Sequence, residues 1–289
     1  MTSRAERTAA AFKWACLAEL DAPKPGNVHT FAAGHRMTVD EFVRSADAAA
    51  GPLSAEDTRV GARIDAAVAA TFAAVGANTN LGIILLCAPL AAAAECDTAA
   101  TDLRRALVQV LRNLDIDDAN LAFRAIVRAA PAGLGHSASH DVFNPATVTL
   151  LQAMAEAKNR DLVARQYATG FADIFDLGVP VLEAAHENGV DPKWATLMTF
   201  LAFLSAFPDS HIARKLGAET ARAVQSEAAE FLRMLEAAER PDPLLPAFLA
   251  WDSALKGKGI NPGTSADLTV ATLFAYRLRT ILPSARNSG

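Results

Sequence analysis

Several short segments of the sequence gather side chains that could bind phosphate or move protons, and the first is KPGNVH at residues 24–29. Its Pro-Gly pair would rigidify a turn, Lys24 offers a positive point charge, and Asn27 and His29 offer directional hydrogen bonds. Ordinary turn chemistry accounts for the same residues, so the segment is equally compatible with a purely structural turn.

A second segment, GANTNLG at residues 76–82, directly precedes an apolar run that reads as a helix. Asn78, Thr79 and Asn80 could cap that helix. The exposed N–H groups of its first turn, at the positive end of the helix dipole, would equally hold a phosphate. Three polar residues beside two glycines are more than a cap requires, and both interpretations stay open.

The third segment, FPDSHIARK at residues 207–215, places a carboxylate, a hydroxyl, an imidazole and two cations within seven positions. This combination suits a site that binds phosphates and moves protons. Asp209 is the first candidate for metal ligation or for activation of a hydroxyl group, and a plain helix N-cap is the structural alternative. The cluster is more informative than any of its members.

The fourth segment, NPGTSADL at residues 261–268, leads into an apolar stretch near the C-terminus. Thr264 and Asp267 have the spacing of a capping box, which would explain both residues by helix stability alone. A Pro-Gly turn that delivers Ser265 and Asp267 to a helix N-terminus would equally bind a phosphate or a sugar hydroxyl.

The elements that must position these segments are helices. Apolar residues recur with helical spacing, as at Phe12, Cys16 and Leu20, and no stretch alternates clearly as a strand would. No linker rich in Gly, Ser or Pro divides the chain. We therefore predict an all-α protein, a single compact domain over residues 1–289 with roughly ten to twelve helices.

Loops and helix starts are marked by Pro and Gly. Asn144 and Asp191 each precede a proline, which is typical of a helix start. The stretch 131–141 is the best candidate for a loop, and a flap over a site is one interpretation of it. In that interpretation His140 and Asp141 would close over a substrate, whereas an exposed polar loop explains them equally well.

The bulk composition restricts the class of function. The chain has 289 residues, of which 52% are hydrophobic and 20% charged, and its net charge is −5. An acidic surface argues against sequence-independent binding of nucleic acid, which requires arrays of Lys and Arg. The three cysteines form neither a metal-type pattern nor a disulfide framework, and the longest apolar run is too short to span a membrane. We therefore expect a soluble, cytoplasmic protein that binds phosphate through a few local groups.

In their order, the four segments resemble motifs of the triphosphoribosyl-dephospho-CoA synthase family, which serves citrate lyase and malonate decarboxylase. The family pattern runs from KPG through a Ser-Ala pair, NTHKG and a D-[ST]-N segment to SPGGSADL near the C-terminus. The resemblance covers about residues 10 to 280, and the order of the motifs makes it specific. The matching residues are Lys24-Pro25-Gly26, Phe42 with Ser45-Ala46, Asn78-Thr79, Asp209-Ser210, and Pro262-Gly263 with Ser265-Ala266-Asp267-Leu268.

This resemblance implies an all-α fold and a glycosyl transfer. The 2′-hydroxyl of dephospho-CoA attacks the ribosyl C1′ of ATP, and adenine leaves while the triphosphate stays on the sugar. Such a site must stabilise an oxocarbenium-like centre, hydrogen-bond the departing base, activate a hydroxyl and neutralise a triphosphate. Mg²⁺ is the expected cofactor, because carboxylates and phosphates together hold it well.

These requirements assign expected roles to individual residues. Lys24 should face a phosphate, Asn78 and Thr79 should bind phosphate or ribose, and His29 and His211 are candidate proton donors to the leaving base. The expected catalytic residues are Asp209, His211 and Asp267, the expected metal ligands are Asp65 and Asp209, and the expected substrate-binding residues are Lys24, Gly26, Asn27, His29, Asn78, Thr79, Asn80, Gly82, Ser210, Arg214, Lys215 and Ser265.

Departures from the family pattern bear on the substrate. Asn80 and Leu81 stand where the family has the histidine and lysine of NTHKG, Asp65 replaces a glutamate, and His211 replaces an asparagine. The segment HRM at residues 35–37 lacks the acidic residue of the family's H-x-D-M. The versions NTNLG and FPDSHIARK resemble the family branch of methanogens and of methylotrophs that use tetrahydromethanopterin, where a relationship to one-carbon cofactor metabolism is implied.

Three functions stay open on this basis. The first is triphosphoribosyl transfer from ATP to dephospho-CoA. The second is a related enzyme of one-carbon cofactor biosynthesis that uses a nucleotide or a phosphosugar, and the third is a non-catalytic helical module that binds a ligand or partner. We expect ATP and a nucleotide-like acceptor such as dephospho-CoA as partners, with no nucleic acid and no membrane, and a homodimer stays open as the assembly.

Overall fold

The structure, a computed structural model, describes residues 2–32, 38–100, 102–131, 134–136 and 139–282, without the side chains of residues 97 and 100. Its regular secondary structure is helical, which confirms the predicted all-α class. The helices are α1 (Arg4–Leu20), α2 (Val39–Leu53), α3 (Val60–Val75), α4 (Leu81–Ala93), α5 (Leu103–Arg112), α6 (Ile116–Ala129), α7 (Leu150–Ala157), α8 (Leu162–Thr169), α9 (Val179–Glu187), α10 (Pro192–Ala206), α11 (Ser210–Leu216), α12 (Ala218–Glu236), α13 (Leu245–Gly257) and α14 (Gly263–Ile281).

The described residues thus form fourteen α-helices, more than the predicted ten to twelve. The difference has a simple cause, because α7, α8 and α11 have only eight, eight and seven residues. A helix of two turns is too short to display a clear apolar period. Its ends are instead set by caps, as at α8, where the Asp161 side chain accepts hydrogen bonds from the N–H groups of Val163 and Ala164.

Local sequence sets the start of some helices and not of others. Asp191 caps α10 and Pro192 is its first residue, as predicted. The start predicted at Asn144 is wrong, because α7 begins after Thr149, whose side chain and that of Gln152 form a reciprocal capping box. Asn144 lies instead in the irregular connection between α6 and α7.

Two hydrophobic clusters form the core. Helices α1 to α9 and α14 supply most of the larger cluster, in which Phe12 and Phe274 meet edge to face with ring centroids 5.9 Å apart. The smaller cluster lies between α10, α12 and α13. Helix α10 joins the two, since Phe203 lies in the larger cluster and Phe200 in the smaller.

Helix α4 is buried along its length although it contains a proline. Pro89 has no N–H, so the carbonyl of Leu85, one turn earlier, loses its intrahelical partner. The hydroxyl of Tyr167 on α8 donates a hydrogen bond of 2.6 Å to that carbonyl. This bond ties α8 to α4. Within the described residues, no helix is both long and apolar enough to cross a membrane.

Candidate active site

A cavity of about 1220 Å³ lies where the first residues of α4, α8, α11 and α14 meet the connection between α6 and α7. All four segments singled out in the sequence reach it. The predicted site residues that line it are Asn27, Asn78, Thr79, Asn80, Gly82, Ser210, His211, Arg214, Lys215 and Asp267. The other predicted site residues, which do not line it, are Lys24, Gly26, His29, Asp65, Asp209 and Ser265.

The carboxylate of Asp267 lies directly over Gly82, where the first turns of α4 and α14 pack together. A Cβ atom at position 82 would overlap that carboxylate, so the glycine leaves room for the Asp267 side chain in this position. Among the described residues, none donates a hydrogen bond to the Asp267 side chain, part of which faces the cavity. Asp267 therefore has its oxygen atoms available for a ligand.

The surroundings of Asp267 disfavour its charged form. Burial raises the pKa of this carboxyl group well above its usual range, and the negative charges of Asp209, Glu19 and Asp161 raise it further. The cation of Arg214 acts in the opposite direction and is the weakest of these influences. A carboxyl group that keeps its proton to higher pH can donate that proton to a leaving group.

Asn78, Thr79 and Asn80 form the wall of the cavity at the start of α4 and also hold that helix in place. The Asn78 side chain accepts a hydrogen bond of 3.2 Å from the N–H of Leu81, and the Thr79 hydroxyl donates one of 2.6 Å to Ser45 on α2. The two interpretations of this segment, helix cap and ligand wall, are therefore compatible, and its role in binding phosphate stays a prediction.

Asp209 lies behind the cavity wall, with both carboxylate oxygens occupied. Oδ1 caps α11 by accepting from the N–H groups of His211 and Ile212, and Oδ2 accepts from the N–H and the hydroxyl of Ser265, both at 2.8 Å. Burial raises the pKa of Asp209, and these four hydrogen bonds oppose the shift. This position supports the N-cap alternative and argues against metal ligation or hydroxyl activation by Asp209, and against substrate binding by Ser265.

The capping box predicted between Thr264 and Asp267 is also wrong. Helix α14 begins at Gly263, and its N-cap residue Pro262 makes no side-chain cap hydrogen bond. The Thr264 hydroxyl instead accepts a hydrogen bond of 3.2 Å from the N–H of His211, while the His211 ring lies against Gly263. Asp209 and Thr264 together hold the first turns of α11 and α14 side by side, with His211 on the cavity wall.

Lys24 is fully buried and makes no contact with the cavity. Its ammonium group lies 3.1 Å from Oε1 of Glu19 and donates hydrogen bonds to the carbonyls of Glu19 (2.6 Å) and Val28 (3.0 Å). Burial lowers the pKa of Lys24 and raises that of Glu19, and the pairing opposes both shifts. The position of Lys24 argues against the phosphate contact predicted for it.

Sequence reasoning missed Glu19, which is the member of this pair that lines the cavity. Its one sequence signal is its place near the end of α1, five residues before Lys24 in the KPG turn.

The rest of the KPG turn is fixed by Asp252 on α13. Asp252 accepts a hydrogen bond of 2.8 Å from the N–H of Gly26, and its Oδ1 lies 3.4 Å from Nε2 of the fully buried His29. Burial lowers the pKa of His29, so its neutral form is favoured. Gly26 and His29 therefore stabilise the turn and are not placed to contact a substrate. Asn27 is placed to do so, and it donates a hydrogen bond of 2.9 Å to Asn261 across the cavity wall.

Asp65 lies on the outer side of α3, away from the cavity. It forms ion pairs of 2.6 Å with Arg124 and with Arg128 of α6, and these arginines hold its pKa below the usual range. This position argues against the metal role predicted for Asp65. In the part of the chain that the structure describes, no three His, Cys, Asp or Glu side chains are grouped so as to hold a metal ion.

Several cations line the cavity. Arg214 lies 3.2 Å from Asp161, and Lys215 follows it on the exposed side of α11. Lys158 and Arg160, which follow α7, also line the cavity, and sequence reasoning missed them. It also missed Arg165 on α8 and Arg222 on α12. Arg165 is fixed by two hydrogen bonds to Asp173 and stacks 4.8 Å above the Phe207 ring. No local motif marks either arginine, because packing alone brings α8 and α12 to this place.

The connection between α6 and α7 forms another wall. Of the predicted flap at 131–141, residues 132, 133, 137 and 138 lie outside the described residues, as does the whole HRM segment at 35–37. In the described part, Asp141 accepts from the N–H of Phe143 at 3.0 Å, and its other oxygen lies 3.0 Å from the His136 ring. His140 and Asp141 do line the cavity, and a flap motion stays a prediction.

The helical fold thus surrounds a cavity that combines a carboxyl group of raised pKa, several cations and helix N-termini, a combination that suits phosphorylated ligands. The family model of ATP:dephospho-CoA triphosphoribosyl transferase (CitG) matches residues 5–285. The chain therefore belongs to this family, as the motif order indicated.

One curated relative and one solved structure are similar to this chain. The chain is 30% identical over 114 residues to the 2-(5″-triphosphoribosyl)-3′-dephosphocoenzyme-A synthase of Pectobacterium atrosepticum, a match that covers 39% of this chain and 35% of that relative. A crystal structure from Archaeoglobus fulgidus, assigned to a triphosphoribosyl-dephospho-CoA synthase, superposes with a TM-score of 0.63 at 22% identity, over 81% of this chain and 97% of that one. The second likeness supports the fold alone.

Proposed function

We propose that this protein transfers the triphosphoribosyl group of ATP to the 2′-hydroxyl of 3′-dephospho-CoA and releases adenine. The observation that carries this proposal is that all four family segments reach one cavity, which is lined by Asp267 and, among the described residues, by six lysine and arginine side chains. Such a cavity offers both a proton donor and a site for several phosphates, which this reaction needs together.

The chemistry assigns a role to Asp267. The bond between C1′ of the ATP ribose and the adenine nitrogen breaks, and adenine leaves with the bonding electrons and takes up a proton. A new bond joins C1′ to the acceptor oxygen, whose proton is released to water. Asp267, whose pKa is raised by burial and by its acidic neighbours, would give its proton to the departing adenine. His211, on the same part of the wall, is the second candidate for that donation.

The triphosphate would be bound by local groups and not by an extended basic surface. Arg214 and Lys215 project from α11, Arg165 and Arg222 also line the cavity, and the net charge of the chain is −5. Local binding of this kind does not need the extended basic surface that nucleic acid binding requires.

The cation expected with ATP does not fit the two carboxylates assigned to it from the sequence. Asp65 is paired with two arginines outside the cavity, and the oxygens of Asp209 are occupied by four donors. We therefore propose that Mg²⁺ enters with ATP and is held mainly by phosphate oxygens and water, as is usual for this ion. No step of the reaction above depends on it.

The identity of the acceptor is the part of the proposal that is most affected by the differences between this sequence and the family motifs. Leu81, which stands where the family motif has a lysine, lines the cavity, so one positive charge is missing from the site itself. This observation favours, as a second candidate, a related acceptor in one-carbon cofactor biosynthesis. We propose a cytoplasmic location for either reaction, since their substrates are intracellular metabolites.

The test is an assay of free adenine. With ATP, Mg²⁺ and dephospho-CoA, we expect stoichiometric formation of adenine and of a product heavier than dephospho-CoA by one triphosphoribosyl group, detected by chromatography and mass spectrometry. Adenine that depends on a different nucleotide-like acceptor would favour the second candidate. If no acceptor yields adenine although ATP binds, the protein is a binding module and the proposal fails.

Replacing Gly82 by alanine is expected to slow adenine release by roughly 10- to 100-fold, because a shift of about 1 Å in a catalytic group suffices for such a loss. The added methyl group would displace the Asp267 carboxylate. Gly51→Ala in α2 is a matched control, since nothing lies within 4 Å of its added Cβ. Equal rates for the two variants would contradict the role of Asp267.

A further inference from the structure

The proposed reaction moves two protons, and Asp267 accounts for one of them. The departing adenine gains a proton, whereas the acceptor hydroxyl loses one as its oxygen attacks C1′. A carboxylate in the cavity wall that can accept a further hydrogen bond would take that second proton. Among the described residues, the carboxyl side chains that line the cavity are those of Glu19, Asp141, Glu156, Asp161 and Asp267.

Three of these carboxyl groups are already engaged or exposed. Asp161 accepts two N–H hydrogen bonds at the start of α8 with one oxygen and pairs with an arginine of α11 through the other. Asp141 is held within the connection between α6 and α7, and Glu156 is exposed on α7. Glu19 and Asp267 therefore remain as candidates for proton transfer.

The carboxylate of Glu19 can still accept a hydrogen bond. Its side chain is 5% exposed, and within the described residues the ammonium group of Lys24 is the only donor that reaches the carboxylate. Lys24 is fully buried and does not line the cavity, whereas Glu19 does. The lysine thus supports Glu19 from the protein side, and a ligand could contact Glu19 from the cavity.

Glu19 and Asp267 both lie against the first turn of α4. Glu19 borders a small void whose other walls include Asn80 and Ile83, and the Asp267 carboxylate lies over Gly82, between these two residues in the chain. Both carboxyl groups also line the large cavity. A substrate bound at the start of α4 would therefore lie within reach of two carboxyl groups from different helices.

The surroundings of these two carboxyl groups favour opposite protonation states. At Glu19 the cation of Lys24 favours the charged form and opposes the rise in pKa that burial causes. At Asp267 the neighbouring negative charges add to the rise in pKa that burial causes. Glu19 is thus the better base of the two and Asp267 the better acid, a division of roles that enzymes with paired carboxyl groups use.

We infer that Glu19 is the general base that takes the proton of the acceptor hydroxyl, an inference that rests on the proposed function. A lone pair of the acceptor oxygen forms the bond to C1′ as the proton of that oxygen passes to the Glu19 carboxylate. The electrons of the bond between C1′ and adenine leave with adenine, which takes the proton of Asp267. Glu19 then gives its proton to water and Asp267 regains one from water, so both groups return to their starting states.

The first test replaces Glu19 by glutamine, which keeps the size of the side chain but is not a base. Adenine release with ATP and dephospho-CoA should slow by roughly 10²- to 10⁴-fold, the usual contribution of a general base. Glu183→Gln is the matched control, because Glu183 pairs with Arg279 outside the cavity and its replacement should leave the rate unchanged. Equal rates for Glu19→Gln and wild type would overturn the inference.

A second variant separates catalysis from stability, because Glu19→Gln leaves the cation of Lys24 buried without its partner. Combining Glu19→Gln with Lys24→Met removes both buried charges, so thermal unfolding should show a more stable protein than Lys24→Met alone. Adenine release by this double variant should stay as slow as in Glu19→Gln. Recovery of the wild-type rate would show that only the unpaired charge mattered and would overturn the inference.

Azide provides a readout that a purely structural role of Glu19 would not change. This anion can attack C1′ without losing a proton, so with ATP and no dephospho-CoA it should raise adenine release by Glu19→Gln at least about tenfold and yield an azido-sugar triphosphate, detected by mass spectrometry. Asp267→Asn, which lacks the acid, should gain nothing from azide. No gain in Glu19→Gln would contradict the role of Glu19 as a base.

The wild-type protein distinguishes the two possible failures. If wild type releases no adenine with any acceptor, the proposed function fails and the role of Glu19 fails with it. If wild type releases adenine and the Glu19 variants do so equally fast, the transferase stands and only the role of Glu19 is rejected.

Discussion

Replacing Lys24 by methionine should lower the free energy of unfolding by about 3–5 kcal/mol, the loss typical of breaking a buried ion pair from one side. The side chains of Lys24 and Glu19 are 0% and 5% exposed, so the variant leaves a carboxylate buried without its partner. The carbonyls of Glu19 and Val28 also lose their donor. Chemical denaturation monitored by circular dichroism measures the change.

The matched control is Lys13→Met, a lysine on the same helix α1 as Glu19. Its ion pair with Asp47 is half-exposed, with side-chain exposures of 45% and 51%. Exposed pairs contribute at most about 1 kcal/mol, so this variant should be nearly as stable as wild type. Titration of ATP separates a structural role of Lys24 from a role in binding phosphate. Weaker ATP binding by Lys24→Met at unchanged stability would contradict the structural role and support the phosphate contact predicted from the sequence.

The helical class was predictable because it follows from local patterns, and helix ends were predictable only where the cap is local. Asp191 lies beside the helix that it caps, so its role is visible in the sequence. The start of α14 is different, because the side chain of Asp209, which lies 56 residues away, accepts hydrogen bonds from Ser265. No sequence pattern near Ser265 indicates that Asp209 is its partner. A capping box with Asp267 was the wrong interpretation for this reason.

The segments of the site were also predictable, but the direction of each side chain was not. Lys24 and Arg214 were both predicted to contact phosphate because each is a cation in a loop segment or short helix. Lys24 is instead buried, and its ammonium group donates hydrogen bonds to nearby backbone carbonyls. Asp209 and Asp267 are both aspartates at the start of a helix. They differ in their donors, since four hydrogen bonds reach Asp209 and, within the described residues, none reaches Asp267. Tertiary packing decides this difference.

Asp267→Asn is expected to slow adenine release by roughly 10²- to 10⁴-fold, the usual contribution of a general acid. Asparagine keeps the size of the side chain but has no proton to give. ATP affinity should stay within a few-fold of wild type, because the proposed contacts to the triphosphate come from cations on α8, α11 and α12 and not from Asp267. Asp176→Asn is the control: Asp176 pairs with Arg104 outside the cavity, and its loss should leave the rate unchanged.

The same variant should become more stable relative to wild type as the pH rises. The pKa of the Asp267 carboxyl group is higher in the folded than in the unfolded protein, where it is about 4. Its contribution to stability is therefore complete below the unfolded pKa and is lost as the pH rises through the folded pKa. The amide that replaces this carboxyl group does not ionise, so the difference in melting temperature between Asp267→Asn and wild type should grow from pH 4 upward and level off above the folded pKa.

The two measurements together identify the state of Asp267. Each unit by which the folded pKa exceeds the unfolded one corresponds to about 1.4 kcal/mol of stability gained by the variant at high pH. The rate of adenine release by wild type should fall over the same pH range in which the stability gap levels off, since both report loss of one proton. If Asp267 were an ionised structural carboxylate, Asp267→Asn would instead be less stable than wild type at neutral pH, and the rate would not follow that titration.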